Sequence, residues 1–155
     1  MPRIVVDVVS SPEERDVAME IWRAANVTRR RPAGDLRAAR VRAKLDAAEL
    51  LLLAHYGSRP AGVLLAETFV DGRPDPQTGH IAMLFVDPAV WGSGVGTRLL
   101  RDLQQRHWPR LSAWTRDDNR RAIRVFEGAD FADTGNRAHL QDGDVICQYV
   151  WARTR

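Results

Sequence analysis

Three glycines alternate in the run Trp91-Gly92-Ser93-Gly94-Val95-Gly96-Thr97, directly after the apolar stretch His80–Val86 and before a helical pattern with leucines at 99, 100 and 103. A strand, a glycine turn and a helix in that order suit an anion. Glycine lets the backbone approach a ligand closely, and the first N–H groups of a helix have no partner inside it. The expected guest is therefore a phosphate or pyrophosphate. A merely structural turn is the poorer reading, because it does not need three glycines in five residues. Two familiar phosphate loops are excluded. A Walker loop requires lysine and then Ser or Thr after its last glycine, whereas Gly96 is followed by Thr97-Arg98. The dinucleotide fingerprint spaces its glycines differently and opens the first strand–helix unit, not one past the middle of the chain.

Groups able to move a proton are scattered. Glu67 lies on a β-type run and can face a cleft, and His80 opens the strand that feeds the glycine turn. His139 and Tyr149 fall on late strands, while Asp117 and Asp118 read as loop or capping residues. A surface or structural role competes for each of them, so the residue types leave the base unassigned. Cys147, the single cysteine, sits in an apolar run and reads as a small buried strand residue rather than a nucleophile. No Cys/His cluster has zinc spacing, and no metal is expected.

The elements that must position these residues follow from periodicity and turn chemistry. Ile4–Val9 reads as a strand; Ser11 caps a helix to about Ala25, with Pro12 in its first turn and Glu14 completing a capping box. Thr28–Gly34 reads as an exposed loop, and Asp35 caps a second helix to about Ala48. Glu49–Tyr56 and Ala61–Phe69 form a hairpin about Gly57-Ser58-Arg59-Pro60. Val70–Gly79, with two glycines and two prolines, reads as loop. His80–Val86 is a strand, Gly94–His107 a helix, Leu111–Thr115 a strand and Asn119–Glu127 a helix. Asp133–Leu140 and Val145–Ala152 close the chain as strands that turn at Gln141–Asp144. The order β-α-α-β-β-β-α-β-α-β-β describes an α/β fold of the α+β type, with helices on a mixed sheet.

On these residues a family resemblance rests. Val86-Asp87-Pro88 through Leu100 resembles the signature of the GNAT N-acetyltransferase superfamily, whose core reads Gln/Arg-x-x-Gly-x-Gly/Ala. Gly94 and Gly96 match it, and Trp91 stands where Gln or Arg is usual. Asn119, Ala122, Val125-Phe126-Glu127 and Phe131 resemble the family's second run, Asn-x-x-Ala-x-x-Phe-Tyr-Glu before a Gly-Phe pair. The order of elements from Ile4 to Trp151 also matches. The resemblance implies one GNAT-like domain over residues 1–155, with a mostly antiparallel sheet of about seven strands, about four helices and a splayed acyl-CoA cleft.

It further implies acetyl-CoA as co-substrate and direct transfer to a primary amine of a small molecule or peptide. Leu84, Phe85 and Val86 would bond the pantetheine arm, and Gly92, Ser93, Gly94, Val95, Gly96 and Thr97 would wrap the pyrophosphate. Asn119 would contact the cofactor, Phe126 would lie beside the sulfur, and Arg98, Arg120, Arg121 and Arg124 could approach the adenosine phosphates. A backbone N–H near Val86 would stabilise the oxyanion, an effect worth about 3–4 kcal/mol. The sequence departs from the family at the proton-transfer positions. The usual tyrosine is Phe126, a carboxylate base used by some members aligns near Trp114, and the glycine before Phe131 is Asp130, a residue that tolerates the left-handed conformation. A thiol with a pKa of about 8.5 leaves reasonably well unaided. Losing the acid would cost on the order of 10²-fold without preventing catalysis. Catalytic candidates are thus Phe126, Glu67 and His80. A non-catalytic acyl-CoA-binding module is the alternative.

Composition agrees with a soluble domain: 155 residues, 45% apolar and 28% charged, are enough for a core without staples. The formal charge of +3 comes almost wholly from arginine, with Lys44 the single lysine. These arginines are spread among 20 acids and match no nucleic-acid module, so no nucleic-acid partner is expected. No signal peptide or membrane span is visible, which places the chain in the cytoplasm without a membrane partner. A homodimer is left open. Acceptor choice is expected to lie with the first two helices, the Val70–Gly79 segment and the final hairpin.

Overall fold

The computed structural model describes residues 2–29 and 31–154. Strand β1 (Ile4–Val8) leads into helix α1 (Pro12–Asn26), which starts where expected. Ser11 Oγ accepts from the Glu14 N–H at 3.2 Å. The returning Glu14 carboxylate bonds the Ser10 N–H, also 3.2 Å, one residue earlier than a capping box requires. Arg30, in the loop that follows, lies outside the described residues. Helix α2 (Asp35–Asp46) corrects its predicted cap: Gly34 is the capping residue without a side-chain bond. Asp35 is the first helical residue and contributes charge to the helix start instead.

Strands β2 (Leu50–Tyr56) and β3 (Arg59–Asp71) turn on Gly57-Ser58 alone, and Arg59 and Pro60 already pair with Tyr56 and His55. The predicted Val70–Gly79 loop is a correction of larger kind. Strand β4 spans Arg73–Val86, and the chain reverses at Gly72. Two prolines are tolerated because this end of β4 has no strand on its second side, and because Pro76 falls in a bulge between the Phe69↔Asp75 and Thr68↔Gly79 pairs. Helix α3 (Val95–Gln104), strand β5 (Arg110–Arg116), helix α4 (Arg120–Gly128) and strands β6 (Ala132–His139) and β7 (Val145–Ala152) complete the chain. Asp130 takes φ 68°, as its replacement of a family glycine predicts.

The seven strands form one open sheet in the order β1-β2-β3-β4-β5-β7-β6. Every pairing is antiparallel except β4 with β5, which runs for four rungs from Thr78↔Arg110 to Ile81↔Ala113. Fully buried Trp108 lies over this join, and a Cβ at Gly79 would sit 2.5 Å from its ring.

The two faces are covered unequally. Helices α3 and α4 lie on a core that runs from Leu52 and Leu64 to Cys147 and Tyr149, spanning β2 to β7. Helices α1 and α2 bury Met19, Ile21, Trp22, Val41 and Leu45 against β2, β3 and β4 only. No helix among the described residues is long and apolar enough to cross a membrane.

Candidate active site: a wedge in the sheet beside an anion cradle

Strand β4 carries one residue too many. Leu65 pairs with Met83 and Ala66 with Ile81, so Ala82 has no partner on β3. Such a bulge bends its strand and increases the twist. It follows the last rung to β5, Ile81↔Ala113. Beyond that point Leu84–Val86 continue along β3 while Trp114–Arg116 continue along β7. A wedge opens between β4 and β5.

Backbone polar groups line it. The Asp87 N–H bonds Ala61 O on β3 at 2.8 Å. Alternation along an antiparallel ladder then turns the N–H and C=O of Leu84 and Val86 away from β3, into the wedge, and those of Phe85 toward it. The Val86 carbonyl is met there by Trp91 Nε1–H at 3.0 Å.

At the wedge's mouth the glycine turn starts α3. The N–H groups of Gly92, Gly94, Val95, Gly96 and Thr97 make no hydrogen bond to protein among the described residues. Ser93 differs, for both its N–H and its Oγ bond Val90 O. Gly94 caps α3 at φ 92°, a conformation that costs any L side chain. Gly96 serves closeness instead, since a Cβ there would lie 3.0 Å from Val125 of α4. Orphan donors at a helix start, with the helix dipole behind them, form an anion cradle.

Of the four arginines expected near it, Arg98 is committed to the Ile4 carbonyl at 3.1 Å. Arg121, on the first turn of α4, lies over the Trp91 indole, 3.4 Å from the ring centre. Trp91 thus joins the end of β4 to the start of α4. Asn119 caps α4, its Oδ1 accepting from the Ala122 N–H at 3.2 Å, which leaves its amide N–H groups available.

The catalytic candidates fall on opposite faces. Phe126 is buried between Phe131 and Tyr149, on the α3/α4 face. His80 lies on the α1/α2 face opposite Glu67, with Nδ1 3.0 Å from Ser112 Oγ and its ring 5.9 Å from Phe69. Burial pushes the His80 imidazole below its ordinary value; Glu67 opposes that shift and Lys44 adds to it. Glu67 itself is paired with Lys44 Nζ at 3.1 Å. His139 ends the exposed edge strand β6, and Asp117 and Asp118 lie in an exposed turn. Beside Ser112 a cavity of about 250 Å³ is lined by Phe69, Leu111, Val150 and Trp151, with Asp75 and Arg110 at one end. No group of three or more His, Cys, Asp or Glu is placed to hold a metal among the described residues.

The sequence profile described as the acetyltransferase (GNAT) family matches residues 15–131. The chain belongs to the GNAT acetyltransferase family. Solved structures agree in fold. The ribosomal-protein-S18-alanine N-acetyltransferase from Escherichia coli superposes with a TM-score of 0.72 at 14% identity, covering 99% of this chain and 96% of that one. A GNAT-family acetyltransferase from Bacillus cereus gives 0.75 at 18% identity, with 99% of each chain covered. The Salmonella typhimurium protein yncA, solved with its cofactor acetyl-CoA, gives 0.68 at 16% identity, over 98% and 95%. A search of curated proteins returned no match.

The sequence placed the glycine turn between a strand and a helix, as the structure has it. It missed the bulge at Ala82, the Ser112 partner of His80, and the use of Trp91 as a tie between β4 and α4. Trp91 did carry a signal, since it replaces a polar family residue at a fixed position. Ser112 carried none.

Proposed function

We propose that this GNAT protein transfers an acetyl group from acetyl-CoA directly to a primary amine, with a small amine as the favoured acceptor. The observation that carries the reading is the set of five N–H groups in and after the glycine turn without a protein partner among the described residues, beside a wedge whose β4 edge turns the backbone of Leu84 and the Val86 N–H toward it. The cradle suits a pyrophosphate and the edge suits an amide-bearing arm. The yncA structure with acetyl-CoA supports the same ligand.

In this reading the Val86 or Leu84 N–H faces the carbonyl oxygen and stabilises the negative charge that develops on it. His80 serves as base, directly or through one water, since its Nδ1 is engaged by Ser112 and Nε2 is left for the amine side. Its lowered pKa keeps it neutral, as a base must be. Glu67 tunes it through charge, being tied to Lys44. The cavity beside Ser112 supports an acceptor with a compact apolar body. The Escherichia coli neighbour's name supports a peptide amine as the other class to test.

The experiment incubates the protein with acetyl-CoA and a panel of arylalkyl amines, polyamines and peptides while free thiol is followed. Thiol release with arylalkyl amines is the expected result. One observation favours a second reading, an acyl-CoA-binding module: Phe126 offers no proton where the family has tyrosine. Tight binding of acetyl-CoA without turnover across the panel would select it, and failure to bind would dismiss both.

A further inference from the structure

Phe126 leaves the sulfur side of the wedge without the expected hydroxyl, yet a phenol lies directly against it. Tyr149 of β7 stacks on Phe126 with ring centres 5.9 Å apart and planes inclined by 16°. Phe131 packs against Phe126 as well, at 5.3 Å. Register fixes where this phenol stands. Tyr149 pairs with Ala113, and Ala113 is the last residue of β5 to pair with β4 before the wedge opens. Residues directly opposite on paired strands point to the same face, so Tyr149 rises on the α3/α4 face one strand beyond the wedge's apex, level with Ala113. His80 pairs with Ser112 one rung away and points to the other face.

Tyr149 is only 6% exposed, and its hydroxyl makes no hydrogen bond among the described residues. A buried phenol ordinarily finds a partner, so a ready donor at this place calls for a role. The charged and titratable groups around it are Cys147 on β7, Asp133 and Arg137 on β6, and Glu127 on α4. Asp133 and Arg137 are spent on each other, through bonds of 2.9 and 2.8 Å. Burial pushes the phenol's pKa up, which keeps the proton on oxygen.

We infer that Tyr149 is the proton donor to the departing sulfur, taking the role that the residue at 126 cannot fill. The inference rests on the acetyl-transfer reading above. As the amine nitrogen bonds to the acetyl carbon and the C–S bond breaks, the phenolic proton passes to sulfur. The nitrogen gives up its extra proton on the His80 side, and solvent returns one to the Tyr149 oxygen. Amine and thioester become amide and thiol, with no other reactant.

Tyr149→Phe keeps the ring stack and removes one hydroxyl. Its kcat should fall on the order of 10²-fold, while its Kd for acetyl-CoA and its melting temperature stay at wild-type values. Phe126→Tyr introduced into the Tyr149→Phe variant should recover at least about one tenfold step of that loss. A fall in kcat matched by an equal rise in Kd would make Tyr149 a binding residue and overturn the inference. Full activity in Tyr149→Phe beside an active wild type would overturn this assignment alone. A wild type that binds acetyl-CoA but releases no thiol with any amine would overturn the transfer reading, and this assignment with it.

Discussion

The two halves of the sheet are built on different terms. In β2 and β3 the runs Leu51–Ala54 and Ala61–Ala66 are buried without alternation, because helices cover both of their faces. In β7 burial alternates, with Cys147 and Tyr149 inside and their neighbours partly open, and β6 is exposed along most of its length. Helices α1 and α2 stop at β4, so the β5–β7 half is covered on one side only. The site lies on the seam between the halves. In the proposed reading the covered half positions the cradle and the open half presents the surface that an acceptor reaches, so binding and acceptor choice fall to two regions with different constraints on their residues.

The seam itself offers the strongest perturbation. Gly79→Leu would force a side chain into Trp108, whose ring lies 2.5 Å from the position of a Cβ. A loss of about 3 kcal/mol in thermal or denaturant unfolding is expected, whereas Gly34→Ala, with no atom within 4 Å and only a poorer N-cap against it, should cost about 1 kcal/mol or less. Equal effects would mean that the join does not unite the halves.

On the covered side, Gly94→Val places a β-branched residue at φ 92°. With strain of about 1–3 kcal/mol at the cradle, the Kd for acetyl-CoA should rise on the order of tenfold, read by calorimetry. Unchanged affinity would remove the cradle from the covered half's role.

At the seam, where β4 meets Ser112 of the open half, His80→Ala should lower kcat/KM on the order of 10²-fold and leave acetyl-CoA affinity intact. In the wild type, activity should be lost as pH falls through the His80 pKa, because the base must be neutral. Since burial lowers that pKa, the acidic limb should lie below the usual value of about 6.5. Lys44→Met should move the limb up and Glu67→Gln should move it down, each by less than about one unit. Limbs that stay in place would disconnect this cluster from the chemistry.

The mildest expected effect is at the tie between the arms. Trp91→Phe keeps a ring for Arg121 and deletes the bond to the Val86 carbonyl. That bond is worth about 0.5–1.5 kcal/mol, so acetyl-CoA affinity should change only a few-fold.

Much of the covered half was legible because its signals are local. Ser11, Pro12 and Glu14 mark a helix start, and Gly92, Gly94 and Gly96 mark a cradle, through rules that act within a few residues. The family resemblance added Asn119 and Phe126. The Val70–Gly79 stretch misled because prolines count against a strand only where a second strand needs their N–H, and sheet order is not a local property. The same limit hid the contacts of His80 with Ser112 and of Phe126 with Tyr149, residues 32 and 23 positions apart respectively. Neither spacing follows any helical or strand period. The Ala82 bulge was hidden too, because it shows only in how β3 and β4 pair.

That bulge has one more consequence. By bending β4 off β5, it leaves two ladder edges facing each other inside the molecule, with the donors and acceptors of Leu84 and Val86 on one lip. Proteins ordinarily blunt such edges when they lie on the outside. Here the edge is left to the end of β4, and in the proposed reading an extended, amide-bearing arm pairs with it. Such a guest would complete the sheet, and the protein should melt at a higher temperature in its presence by mass action.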